Sequence, residues 1–223
     1  MDPRRSSGLD WLVALSGLVL FTVILCVGWF LGQDGLVRRS ESSYAVMPST
    51  ALSFVLLFAV LAFADRKENA GQRKPIWLHV GIFPVAAMAL VNLSGRMLGY
   101  HSGVEELISL NAAREMGDGA VVSYFTAGGF LLAVLLMIHR FMKPLFDDWT
   151  GLSLNILLLS TALAILLGHG FEVHSLYGVP GFTGMSEFTA LGFSVLFAGL
   201  LLRDRAFLSE AGDSSNPNGG VSG

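Results

Sequence analysis

The side chains able to bind a metal or move a proton are few, and most of them fall close together. Of the five histidines, His101, His169 and His174 fall in two stretches expected on one side of a membrane, near Glu172 and Glu187, while His79 and His139 fall near the opposite ends of two apolar runs. His169, Glu172 and His174 offer nitrogen and oxygen donors that suit zinc, copper or nickel. The run His169-Gly170-Phe171-Glu172-Val173-His174 matches no recognised ligand motif, however, and its histidine spacing suits neither one helix face nor a familiar metal loop. Interfacial hydrogen bonding is the expected role, so no metal is assigned and the cofactor stays unknown. A haem would need two facing histidines at one depth, with His101 and His169, or His79 and His139, as the available pairs.

Glu187 follows Ser186, a good N-cap, which places its carboxylate in the positive first turn of a helix. That accounts for it structurally, with ligand or proton sensing as the alternative for an acid beside an apolar run. The sequence contains no Gly-rich phosphate loop, nucleophile elbow, His-Glu-x-x-His or paired-carboxylate arrangement. No enzyme is expected. The candidate ligand-binding residues are therefore Tyr100, His101, His169, Glu172, His174 and Glu187.

The elements that must position these residues are strongly apolar. The 223 residues are 53% hydrophobic and 14% charged, against roughly 25% charged in a soluble domain. Six apolar runs predict an all-α integral membrane protein with spans near 11–31, 48–64, 76–94, 119–138, 152–168 and 183–202, making a membrane domain of 1–208 with a disordered tail over 209–223. Pro48 suits the first turn of its helix, and Pro84 predicts a kink inside the third. The first run is too long for a secretory signal core and reads as an uncleaved span. Its Cys26 is the one cysteine, which excludes an intramolecular disulfide.

Ten of the 14 basic residues fall on one side of these spans: Arg4, Arg5, Arg66, Lys67, Arg73, Lys74, Arg140, Lys143, Arg203 and Arg205. That bias predicts cytoplasmic termini and an outer face rich in acids. With a net charge of −3, nothing favours nucleic acid.

One pattern recurs in three of the runs. Thr50-Ala51-Leu52-Ser53-Phe54, Thr126-Ala127-Gly128-Gly129-Phe130 and Thr189-Ala190-Leu191-Gly192-Phe193 each place a small residue three positions, and a Phe four positions, after the Thr. In a helix these offsets share one face. A Thr with a small residue one turn on lets two membrane helices approach closely, so Thr50, Ser53, Thr126, Gly129, Thr189 and Gly192 are expected to be packing residues. The recurrence predicts three loosely repeated helix pairs.

Leu98-Gly99-Tyr100 after an apolar span, an aromatic-rich outer loop and the three Thr-Ala-x-x-Phe spans together resemble the membrane-embedded input region of bacterial sensor histidine kinases and diguanylate cyclases. The resemblance covers about Leu12 to Leu202 and rests on Thr50-Ala51, Thr126-Ala127, Thr189-Ala190 and Gly99-Tyr100. It implies a signal-perceiving or ligand-binding module of the bacterial inner membrane that displaces helices. Only a short tail follows the last span, where a sensor kinase carries catalytic domains, so the expected output is a protein partner. The alternatives are a membrane redox or assembly subunit holding a cofactor, and a small transporter, which would favour more polar residues at mid-span than Asn92 and Asn155.

Overall fold

The computed structural model describes residues 3–37, 44–64, 76–98, 122–142, 144–171 and 185–214, and among these it is all-helical. Helix α1 (Pro3–Val23) runs on into a π-helical stretch, Ile24–Phe30, and is followed by the single turn α2 (Asp34–Val37). Next come α3 (Pro48–Phe63) and α4 (Ile76–Met97). Helix α5 (Tyr124–Met137) also ends in a π-helical turn, Ile138–Met142, and is followed by α6 (Asp148–Gly170) and α7 (Glu187–Ser214).

Among the described residues four helices are long and apolar enough to cross a membrane: Gly8–Phe30, Leu78–Met97, Tyr124–Met142 and Asp148–Gly170. This marks a multi-pass membrane protein. Their outward faces support that, because Leu12, Val19, Phe83, Leu90 and Leu157 are each more than half exposed, and such apolar surface needs lipid to cover it. Cys26 is also exposed. The second expected span is a helix of 16 residues, or about 24 Å against a hydrocarbon core of about 30 Å. Pro84 sits inside α4, which continues without a break through Met97. Helix α6 starts at Asp148 rather than near 152, because Asp147 caps it by accepting from the Thr150 N–H at 3.0 Å. Helix α7 runs on to Ser214 where a disordered tail was expected from 209; Ala206, Leu208, Glu210 and Ala211 are good helix formers that carry the chain on.

The core lies among α3, α5 and α7. Phe21, Phe54, Phe58, Leu57, Leu196 and Phe197 are almost wholly buried there. Around this core α1 packs against α3 and α7, α4 packs against α3 and α5, and α6 packs against α7. Among the described residues, neighbouring helices of this ring touch least between α5 and α6.

Arg203 of α7 ties together elements far apart in sequence, at the end of α3 and near the start of α1. Its guanidinium donates to the carbonyls of Leu61 and Ala64, the last turn of α3, and its Nε lies 3.7 Å from Asp10 Oδ2 on α1. The same group stands over the Phe141 ring, 5.2 Å from its centre. A cation at a helix C-terminus satisfies carbonyls that have no partner within the helix. At the other end of α1 the buried indole of Trp29 donates to Val46 O at 2.7 Å, pinning the approach to α3.

Candidate functional site

The three recurrent segments begin α3, α5 and α7, and their local chemistry explains why helices start there. Ser123 and Ser186 are N-caps: each hydroxyl accepts the N–H of the Thr three residues on, at 3.0 Å from Thr126 and 3.1 Å from Thr189. Each also shares a hydrogen bond with that Thr hydroxyl at 2.8 Å. The Thr thus does more than admit a close neighbour, since it completes the cap. In the first copy Met47 stands at the capping position without a side-chain bond, and Pro48 opens the helix. Here Asn92 donates to the Ser49 hydroxyl at 3.3 Å and Ser53 donates to Ser49 O at 2.7 Å.

One turn further on the three phenylalanines meet. The ring centres of Phe54, Phe130 and Phe193 lie 4.9 Å from one another in all three pairs. The small residues make this possible. A Cβ on Gly129 would come within 2.8 Å of the Phe193 ring, and one on Gly192 would meet Phe54 at 2.7 Å. Phe193 and Phe54 thus occupy the space that Gly129 and Gly192 leave open, and Thr50, Ser53, Thr126 and Thr189 are all buried.

Between α5 and α6 the packing opens into a groove of about 460 Å³. Its α5 wall runs from Tyr124 through Gly128 and Gly129 to Leu132, its α6 wall from Leu157 through Thr161 to Ile165, and its floor is Phe193 and Phe197 of α7. The lining is almost wholly apolar, and the Thr161 hydroxyl is spent on Leu157 O at 2.9 Å. The groove opens sideways, since Leu157 on its rim is 62% exposed. Gly128 is central to it, as a Cβ there would meet nothing within 4 Å. The sister segments carry Leu52 and Leu191 at the same offset from the Thr. Of the three segments, the one that faces α6 is thus the one that lacks a leucine side chain. Sequence reasoning did not find this groove, and the Leu-to-Gly difference at Gly128 was its one available signal.

Of the polar candidates, His169 and Glu187 come together. The His169 ring reaches the backbone carbonyl of Met185 and lies within electrostatic range of Glu187, and Met185 lines the end of the groove. Glu187 opens α7 behind the Ser186 cap, as expected. Tyr100, His101, Glu172 and His174 lie outside the described residues. Among the described residues no three of His, Cys, Asp and Glu gather closely enough to hold a metal ion.

His79 on α4 stacks on Phe83, 5.7 Å between ring centres, and His139 lies in a separate place. His139 is buried in the π-helical turn of α5, stacked on Phe146 at 4.0 Å between ring centres, with its Nδ1 accepting from the Leu145 N–H at 3.0 Å. It borders a cavity of about 20 Å³ together with Arg140, Asp148, Gly151 and Asn155, a space the size of one water molecule.

The chain matches no protein-family model, no curated protein and no solved structure.

Proposed function

We propose that this chain is a ligand-binding, signal-perceiving module of the bacterial inner membrane that acts through a protein partner. In this reading six helices cross the bilayer as three pairs, α1 with α3, α4 with α5 and α6 with α7, with both termini in the cytoplasm. The observation that carries it is the groove between α5 and α6. Among the described residues, neighbouring helices of the ring pack closely except between α5 and α6, and there an apolar ligand enters from the lipid and alters helix spacing. Phe193 and Phe197 of α7 form its floor, so a change in α5–α6 spacing is felt by α7, which Arg203 holds to α1 and α3. Close-packed cores move between discrete arrangements rather than deforming smoothly, which suits them to relaying such a displacement. The resemblance to sensor input regions points the same way.

Filling the groove tests the reading. Gly128→Leu restores the residue of the sister segments into open space. A partner co-purified from native membranes with the wild type, then rebound in vitro, is expected to bind Gly128→Leu with an affinity changed at least fivefold, the lower end of typical couplings of roughly 5- to 150-fold. Equal affinities for the two forms would overturn the relay.

A further inference from the structure

We infer that the ligand of the α5–α6 groove is a flexible acyl chain of a bilayer lipid, seated with its tail against Phe193 and Phe197 and its head towards Tyr124; this rests on the ligand-binding reading above.

From Tyr124 to Leu132 the α5 wall spans eight residue steps, or about 12 Å at about 1.5 Å per residue, and the volume of about 460 Å³ falls within the range of small-molecule pockets, roughly 300–1,000 Å³. The groove also reaches inward to Gly129 and Phe193, at the centre of the bundle. An occupant must therefore be thin enough to pass between two helices and long enough to reach the third.

The lining chooses among thin ligands. Leu132, Leu158, Ala162 and Phe197 provide no hydrogen-bonding side chain along the depth of the groove, so a polar ligand would be left unsatisfied there. The floor is ridged by the stacked rings of Phe193 and Phe197, 5.7 Å apart at their centres. A flexible chain bends over such ridges and a rigid fused-ring lipid does not. Among the described lining residues, apart from Thr161 whose hydroxyl is bonded to Leu157 O, the polar side chain is Tyr124 at the other end, its hydroxyl donating to Arg96 O and its ring centre 4.5 Å from the Arg96 guanidinium. The groove is thus polar at one end and apolar along its depth, which is the polarity of an amphiphile. Its side opening lies between two candidate spans, where bilayer chains are the immediate neighbours.

The deciding experiment uses the full chain in phosphatidylcholine nanodiscs carrying either a phospholipid with a diazirine on its acyl chain or a diazirine sterol. Crosslinked peptides are mapped by mass spectrometry in the wild type, Gly128→Ala, Gly128→Leu and Leu157→Trp. The last closes the rim from α6 without altering α5. The acyl probe is expected to label residues 124–132 and 157–165 several-fold more than the outward face of α4 around Phe83 and Leu90. The excess should persist in Gly128→Ala and vanish in Gly128→Leu and Leu157→Trp. Groove labelling by the sterol instead overturns the acyl chain and leaves ligand binding standing. If neither probe exceeds the α4 background, both the chain and the ligand-binding reading fall.

Discussion

The ring of Phe193 fills the space beside Gly129, with its nearest atom 2.8 Å from where a Cβ would stand, while Gly128 next to it faces nothing within 4 Å. Two adjacent glycines of one helix therefore have opposite roles: the first leaves a groove empty and the second lets a ring in.

Alanine substitution should separate them. Gly129→Ala and Gly192→Ala force a ring aside, and overpacking of this kind costs typically 1–3 kcal/mol. Gly128→Ala meets no neighbour and gains helix propensity, so it is expected to stabilise by roughly 0.5–1 kcal/mol. Thermal unfolding in one detergent, followed by helical circular dichroism, gives the order: Gly128→Ala above the wild type and the other two below it. A Gly128→Ala protein as unstable as Gly129→Ala would mean that α5 and α6 pack closely after all.

Truncating one ring of the central triad should cost more than either. Phe54 touches Phe21, Phe130 and Phe193 at ring-centre distances of 4.3, 4.9 and 4.9 Å. Phe54→Ala is expected to lose on the order of 3 kcal/mol. The same unfolding measurement on Phe54→Ala and on the exposed Phe83→Ala should give a large loss for the first and almost none for the second.

The capping position offers a test in which two effects oppose each other. Ser123→Ala and Ser186→Ala remove caps and should each cost about 1 kcal/mol. Met47→Ser would create a matching cap ahead of Thr50, yet Met47 is buried against Val122 and Ala127. Losing a buried Met side chain costs roughly 2–5 kcal/mol, so packing outweighs the new cap. Met47→Ser is therefore expected to destabilise, and a rise in unfolding temperature would refute that ranking.

Arg203 should not be replaceable by lysine. The carbonyls of Leu61 and Ala64 each take one of its N–H groups while Nε faces Asp10, a fork that a single ammonium does not reproduce. Arg203→Ala is expected to lose roughly 1.5–3 kcal/mol, and Arg203→Lys to recover less than half of that. Full recovery in Arg203→Lys would show that charge alone suffices.

Acid should weaken the start of α6 before other caps. The side chain and backbone N–H of Thr150 hold the Asp147 carboxyl below the usual carboxylate range. Because its folded value is depressed, the contribution is complete above the unfolded value and is lost as pH falls through the folded one. Hydrogen exchange of the Thr150 amide should therefore accelerate below the ordinary carboxylate range in the wild type. In Asp147→Asn, whose amide does not titrate, that acid-dependent acceleration should be absent.

The membrane class, the apolar helices and the Ser186 cap were legible in the sequence. Each depends on residues within about one helical turn or on the length of an apolar run, which local chemistry sets. The Thr-to-Phe offsets defined one face per helix, but they contained nothing about which faces would meet. That Phe54, Phe130 and Phe193 meet at a single point was decided by how α3, α5 and α7 pack. The same holds for Arg203, whose partners Leu61 and Ala64 lie about 140 residues earlier, a separation no periodicity can bridge. The groove shows the division most clearly. Gly128 in place of Leu52 and Leu191 was visible in the sequence, but a missing side chain becomes a cavity only where the facing helix does not close in. Only the tertiary structure places α6 apart from α5.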